Sequence, residues 1–198
     1  RGLGDVYKRQ GYLYLDTGMY KEARQYFLSA YARYMAAPEN ERDISRLTMI
    51  YTNLAESYML EGDMDNTAQY IDRIEAECKP HFGEMDNIYV DSLCARFYHL
   101  IGDAEKRDMY IADLEKRLGG RVLIMDIFGD LYEFCLLMLE LDRDDIVVEI
   151  INKIEEPIKK TRIANIKRKY LELKIRLYRR NNLSLIHISE PTRRSYIS

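Results

Sequence analysis

The sequence offers few cysteines for disulfide bonds or metal ligation, and it is also poor in tryptophan and proline. It has no tryptophan, four prolines and three cysteines among its 198 residues. Cys78, Cys94 and Cys135 are odd in number and lie far apart without a CxxC pair, which argues against a disulfide framework or a zinc site. We therefore expect the three thiols to serve as small core residues in a reducing, intracellular setting.

A long apolar run is also lacking. The most apolar stretch, Val122–Leu141, is interrupted by Asp126, Asp130, Glu133 and Glu140. Because a bilayer-spanning helix does not tolerate that many acids, we expect no membrane insertion. The sequence thus favours a cytoplasmic protein.

Recognisable catalytic motifs are missing as well. There is no glycine-rich phosphate loop, no HExxH and no Ser/His/Asp set in a recognisable context. His99 beside Tyr98 is interpreted as a surface or groove histidine, since no partner for a catalytic base can be named. Asp142, Asp144 and Asp145 lack the ligand spacing of a calcium loop, and therefore indicate an acidic helix start. We predict a non-catalytic chain with no cofactor and no metal.

The two ends of the chain are related to each other at the level of DNA. The segment 1–10, RGLGDVYKRQ, can be encoded by a string whose reverse complement translates to LSLIHISEPT, which is Leu183–Thr192 letter for letter. This string resembles a transposon adapter used to build sequencing libraries. We therefore expect residues 1–10 and 183–198 to be adapter-derived, and residues 11–182 to be a fragment of a larger protein.

Charge is distributed unevenly along residues 11–182. Removing the five basic and two acidic residues of the two ends from 30 and 33 leaves 25 and 31, a net charge of −6. Lys159–Arg180 holds ten basic residues against Glu172, so the part before it is strongly acidic. We interpret the basic segment as a solvated face that complements an acidic body; an anionic-partner surface is the alternative. The acidity makes nucleic-acid binding an unfavoured function.

A repeat runs through the chain. Turn signals recur at Gly18, Gly62-Asp63, Gly102-Asp103 and Asp142-Arg143, at steps of 44, 40 and 40 residues, and a fifth is expected at Asn182. Each turn lies between two stretches with helical apolar spacing. Such a hairpin cannot bury its apolar face alone, so this period predicts stacked copies of one helical hairpin.

The residues around the first two turns match a known pattern. They are Gly11, Tyr14, Gly18, Tyr20, Ala23, Phe27 and Ala30 in the first unit, and Tyr51, Leu54, Ala55, Tyr58, Gly62 and Ala68, the last displaced by one position, in the second. The third keeps Ala95, Tyr98, Gly102 and Ile111 but has Arg107 where a small residue is expected. The fourth keeps only the spacing, through Cys135, Met138, Asp142, Val147, Ile151 and Ile154. This pattern resembles the tetratricopeptide repeat (TPR), strongly in the first half of the chain and weakly in the second.

The resemblance implies an all-α fold, a right-handed α-solenoid of about four hairpins plus one helix over residues 11–182. The expected helices cover about 11–17, 20–36, 43–61, 64–77, 87–101, 103–117, 122–141, 143–159 and 162–180. Asp43 is the expected N-cap of the third, and Pro157 is expected to shorten or kink the eighth. Small residues in the first and second helix of each hairpin would let the two helices cross closely.

In the TPR family, partners commonly bind an inner, concave face lined by first-helix residues. The matching positions here are Thr52, Asn53, Glu56, Ser92, Arg96, His99, Tyr132, Glu133 and Arg176, with Leu136 and Glu172 at the same offsets. Asn53 lies where some members place a peptide-gripping asparagine. The lysines that flank such an asparagine in that clamp are not reproduced.

The resemblance implies a binding function. The predicted partners are a protein or peptide in the concave groove and neighbouring domains of the parent chain. Long tyrosine-rich units with Gly-Asp turns and a basic final helix also resemble the sensory repeats of bacterial diguanylate cyclases with a GGDEF domain. A regulatory input region of such a signalling protein, or of a TPR-containing transcriptional regulator, is therefore the alternative.

Overall fold

A computed structural model describes residues 3–119 and 124–193, and within these ranges the fold is all-α and contains no β-strand. The helices are α1 (Leu3–Asp16), α2 (Tyr20–Ala36), α3 (Ile44–Glu61), α4 (Met64–Arg73), α5 (Glu84–Leu100), α6 (Ala104–Leu118), α7 (Ile124–Glu140), α8 (Asp144–Lys160) and α9 (Ala164–Arg193). The prediction of an all-α fold is confirmed. The expected start of the seventh helix, residue 122, lies outside the described residues.

The chain divides into two compact units, Arg1–Arg117 and Leu118–Ser198. In the first unit α1 packs on α2, α2 on α3, and α3 on both α4 and α5. In the second unit α7, α8 and α9 pack on one another in all three pairs. Each unit is therefore built from helices that contact their neighbours along the chain, as expected of a hairpin repeat.

The four turns share one backbone geometry. Gly18, Gly62 and Gly102 have φ angles of 77°, 86° and 80°, and Asp142 takes the same left-handed region at 58°. At each turn the next amide donates to the carbonyl five residues earlier, over 2.8–3.0 Å. This hydrogen bond is one of the two that define a Schellman helix end, a motif that favours glycine at the left-handed residue. The predicted turns at these four positions are confirmed.

Three local predictions are wrong. No turn occurs at Asn182, because α9 continues through it to Arg193. Pro157 does not shorten α8, which continues to Lys160, and the Thr161 amide donates to the Pro157 carbonyl over 3.2 Å; the alternative of a kink stays a prediction. The expected helix 64–77 is regular only to Arg73 and continues as a π-helical segment, Ile74–Cys78.

A small residue recurs at one position in the first helix of each hairpin. A Cβ added to Gly11 would lie 2.4 Å from the Phe27 ring, so any other residue there would force that buried ring to shift. The equivalent positions Ala55, Ala95 and Cys135 are fully buried. In the second unit of the repeat the small partner in α4 is Thr67, not Ala68 as expected: Thr67 is fully buried and its hydroxyl donates to the Asp63 carbonyl over 2.7 Å.

Tyrosine rings fill three of the hairpins at matching positions. The stacked pairs are Tyr14–Tyr26, Tyr58–Tyr70 and Tyr98–Tyr110, with ring centroids 5.3, 5.8 and 5.6 Å apart. In the fourth hairpin, Met138 and Ile150 stand at these positions and are buried. The register of the repeat therefore extends from the turns into the core, although the side chains change.

The three cysteines are free thiols in the interior. Burial raises the pKa of the Cys94 thiol to about 12, and burial likewise raises the pKa of Cys135. A thiol held in its neutral form behaves as a small apolar side chain. The prediction that these residues are small core residues is confirmed.

Candidate partner-binding surface

The candidate residues of the first unit lie on α3 and α5, which pack side by side. We call them the α3–α5 patch: Thr52, Asn53, Glu56, Ser92, Arg96 and His99. Helix α3 is held at both ends, because the Asp43 side chain accepts a hydrogen bond from the Ser45 amide and Gly62 provides the left-handed cap. These caps set where the helix starts and stops, and with that the face on which the patch residues lie.

An ion pair links the two helices across the α3–α5 patch. The Arg96 Nη1 atom lies 2.7 Å from Glu56 Oε1, and the two side chains are 12% and 21% exposed. Thr52 is half-buried, and its hydroxyl donates to the Thr48 carbonyl over 2.8 Å. The predicted positions 56 and 96 are therefore brought together by the fold, as a half-buried pair of opposite charges.

Two residues of the α3–α5 patch lie below the surface. Asn53 is 5% exposed and Ser92 is 3% exposed. The Ser92 hydroxyl has no hydrogen-bond partner among the residues that the structure describes. The part of the patch that solvent reaches consists of Thr52, Glu56, Arg96 and the half-buried His99.

The second unit holds the remaining candidates, which we call the α7–α9 patch: Tyr132, Glu133 and Arg176. Arg176 donates to Glu172 Oε1 over 2.8 Å, and the Tyr132 hydroxyl hydrogen-bonds the same carboxylate. These bonds, first from Arg176 and then from Tyr132, hold the pKa of Glu172 below its usual value. Burial and the Glu172 carboxylate raise the pKa of Tyr132, which is buried. Glu133 is half-buried beside it.

The basic segment pairs with acids of its own unit. Lys174 lies 3.4 Å from Glu155, Arg180 lies 3.1 Å from Asp144, and Arg180 also pairs with Asp142. Each of these acids belongs to α8 or to the turn before it. Part of the positive charge on α9 is thus neutralised within the second unit. Exposed ion pairs of this kind add little stability, so stabilisation of the fold does not by itself explain the concentration of basic residues on α9.

A cation–aromatic cluster escaped prediction from the sequence. The Arg73 guanidinium lies 4.4 Å from the Tyr51 ring centroid and 5.5 Å from that of Tyr31, and donates to both hydroxyls. Glu77 accepts from Arg73 over 3.1 Å and from Tyr51 over 2.8 Å. Glu77 lies in the π-helical segment, which apolar periodicity does not reveal. The sequence feature that could have pointed to this cluster is the abundance of tyrosine.

Neither a metal site nor a membrane-spanning helix is found in the described part of the chain. Within it, no group of three histidine, cysteine or acidic side chains is placed to hold a metal ion. Over the same residues, no helix combines the length and the apolarity needed to cross a bilayer. Comparison with protein-family models, curated proteins and solved structures gives no match.

Proposed function

We propose that the chain is a non-catalytic scaffold of TPR-like hairpins, arranged as a right-handed solenoid, that binds a protein or peptide on its first-helix face. The observation that carries this proposal is the register of the repeat. Four turns with one left-handed geometry, 44, 40 and 40 residues apart, accompany small first-helix residues at matching positions in all four hairpins and stacked rings in three of them. This combination supports repeated copies of one hairpin.

The α3–α5 patch is the part of that face we assign to the partner. It offers a carboxylate, a guanidinium, a hydroxyl and an imidazole on two adjacent helices. Because the Glu56–Arg96 pair is only half-buried, a peptide that carries charges of both signs can hydrogen-bond both groups without separating them. We expect mixed-charge peptides to be preferred over apolar ones.

The test is peptide selection against a charge-swapped protein. Peptides from a random library are selected on the wild type and measured against the double variant Glu56→Arg, Arg96→Glu, which keeps an ion pair but reverses its direction. We expect affinity to fall by about tenfold or more, roughly 1.4 kcal/mol. The control swaps the exposed pair Glu156 and Lys159, 2.5 Å apart on α8, in the same way. Equal binding to both swapped proteins would contradict the proposal.

The regulatory alternatives concern the parent protein, and we propose them as tests of context. A diguanylate cyclase input region requires a GGDEF domain encoded after the repeats, whereas a transcriptional regulator requires a DNA-binding domain before them. The Gly-Asp turns that suggested the cyclase do have a structural role: Asp63 and Asp103 cap the following helices by accepting from the Asn66 and Lys106 amides. Amplifying the gene outward from the coding region of residues 11–182 separates the two.

A further inference from the structure

Helix α9 carries apolar residues on two opposite faces. Tyr170, Leu173 and Leu177 are buried within the second unit. The other face carries the outer stripe, which we define as Leu171, Ile175 and Tyr178. These residues are 56%, 50% and 71% exposed. Their spacing of four and three residues places them on one side of the helix.

The repeat relates the outer stripe to three residues of α7. A shift by 40 residues, the step between the Gly102 and Asp142 turns, places Leu171, Ile175 and Tyr178 on positions 131, 135 and 138 of α7. Those three residues, Leu131, Cys135 and Met138, are all fully buried. Apolar side chains in the same register are therefore buried in α7 and exposed in α9.

In the first unit, the covering element is the second helix of the hairpin. Tyr58 and Tyr98, at the position of Tyr178, stack on Tyr70 of α4 and Tyr110 of α6. At the position of Ile175, the Ala55 carbonyl lies 3.5 Å from the hydroxyl of Thr67, again in α4. The outer stripe is thus the place on α9 where a second helix packs in the other hairpins.

The flanks of the outer stripe are basic. Lys167 and Lys174 border it on one side, and Arg168 and Arg179 on the other, all four exposed. Lys167 and Arg179 form no ion pair within the part of the chain that the structure describes.

The flanks of α7 are different. Its residues at the positions of Arg168, Lys174 and Arg179 are Phe128, Phe134 and Leu139, which are buried. Helix α9 therefore presents a narrow apolar stripe between two rows of cations, where α7 presents a broad apolar surface.

We propose that the outer stripe binds an acidic amphipathic helix from a partner protein. Such a helix has apolar residues at i, i+3 or i+4 and i+7, with aspartate or glutamate beside them, and packs on α9 as α4 packs on α3. A second copy of α9 is a poor occupant, because its own cations would face these four. The register favours a helix over an anionic membrane, since helices cover this position in the other hairpins. This surface is separate from the α3–α5 patch and does not depend on it.

The binding test uses the full chain and a designed probe. The probe is a fluorescein-labelled helical peptide with leucine at the stripe-facing positions and glutamate on both flanks. One matched control peptide has the same composition with scrambled leucine spacing, and another carries lysine flanks. We expect saturable one-to-one binding of the glutamate-flanked peptide by fluorescence anisotropy. Affinities of the two control peptides should be at least about tenfold weaker.

Two variants assign the binding to α9. Leu171→Glu with Ile175→Glu should weaken the probe at least about tenfold, whereas Leu28→Glu, at an exposed apolar residue of α2, should not. Lys167→Glu with Arg179→Glu leaves the stripe intact and should reverse the preference toward the lysine-flanked peptide. That reversal cannot be produced by unfolding.

Five outcomes would overturn the proposal. Three concern the peptides: equal affinity for the scrambled peptide, unchanged affinity in the stripe variant, and no reversal in the flank variant. The fourth is a dimer, seen by sedimentation equilibrium and abolished by the stripe variant. The fifth is binding of phosphatidylserine vesicles in the absence of peptide binding.

Discussion

The hairpins of the first unit and the hairpin of the second reach the same backbone geometry with different side chains. In α3–α4 and α5–α6, pairs of stacked tyrosines lie between the helices. In α7–α8 the corresponding residues are Met138 and Ile150, and α8 buries a row of aliphatic residues in their neighbourhood. The left-handed turn is common to all three. The turn and a buried small residue in the first helix are therefore common to the hairpins, and the ring is one of several ways to fill them.

The chemical difference has a consequence at the edge of the core. Tyrosine hydroxyls reach polar groups, as in the link from Tyr51 to Glu77 and Arg73 and in the 3.4 Å bond from Tyr110 to Glu75. The aliphatic pair in α7–α8 offers no such group. The first unit thus combines apolar packing with directional bonds within and between its hairpins.

The largest expected effect comes from truncating the same core position in each unit. Ile71→Ala and Ile151→Ala remove side chains that are 3% and 5% exposed. Each should lower the free energy of unfolding by about 2–5 kcal/mol, because a buried cavity is left. Urea denaturation measures the loss, and amide hydrogen exchange should locate it in the unit that carries the change.

The control for these truncations is Val148→Ala on the exposed side of α8, which should change stability by less than about 0.5 kcal/mol. A loss of exchange protection spread evenly over both units would show that the units do not unfold separately.

The next effect contrasts two turns. Gly62→Ala should cost about 1–2 kcal/mol, because a Cβ is strained at a φ of 86°. Asp142→Gly should stay within about 0.5 kcal/mol of the wild type: relief of strain is offset by extra chain entropy and by loss of the pair with Arg180. Thermal denaturation of both variants measures the contrast. Gly62→Asn, which tolerates this conformation, should lie between Ala and the wild type; an equal loss for Asn and Ala would contradict the strain argument.

A smaller effect, a coupling energy, should distinguish the tyrosine pair of α5–α6 from the aliphatic pair of α7–α8. A double-mutant cycle on Tyr98 and Tyr110, each changed to leucine, should give a coupling of about 0.5–1.5 kcal/mol from ring stacking. The equivalent cycle on Met138 and Ile150, each likewise changed to leucine, should give less than about 0.5 kcal/mol, because these substitutions keep apolar volume and remove no ring stacking. Urea denaturation provides the energies. A coupling as large in the aliphatic pair would remove the distinction between the two hairpins.

The smallest effect is an opposite pH dependence. Hydrogen bonds from Arg176 and Tyr132 lower the folded pKa of Glu172, so its contribution is complete above about 4.5 and is lost as pH falls through the folded value. Burial raises the folded pKa of Asp91, despite the bond from Arg117, so stability falls as pH rises from about 3.8 through that value.

The Glu172 contribution should be below about 1 kcal/mol, because its ion pairs are partly exposed. Urea denaturation between about pH 3 and pH 6 should show a shallower acid loss in Glu172→Gln and a steeper one in Asp91→Asn. Slopes that change in the same direction in both variants would contradict the assignment.

Much of the fold could be predicted from the sequence because it depends on interactions between residues close together in the chain. The turns at Gly18, Gly62 and Gly102 were predictable since a left-handed residue after a helix favours glycine. The helix starting after Asp43 was predictable because its side chain caps the amides that the helix leaves unpaired. The absence of a turn at Asn182 was not, since periodicity alone does not end a helix.

The positions of the candidate site residues could be predicted from the sequence only in part. Helical offsets placed Glu56 and Arg96 on neighbouring first helices, where the fold brings them within 2.7 Å. The same offsets placed Asn53 and Ser92 on the predicted face, yet both are buried. An offset gives the side of a helix but not how far the next helix extends over it.

The sequence by itself determined the helices, their turns and the repeat that relates them, because caps, glycines and apolar spacing act within a few residues. The tertiary structure alone decided which side chains meet: the π-helical shift that brings Glu77 to Arg73 and Tyr51, the burial of Ser92, and the exposure of the outer stripe. These depend on where one helix stops covering another. That is set by packing between residues far apart in the chain, which no local pattern encodes.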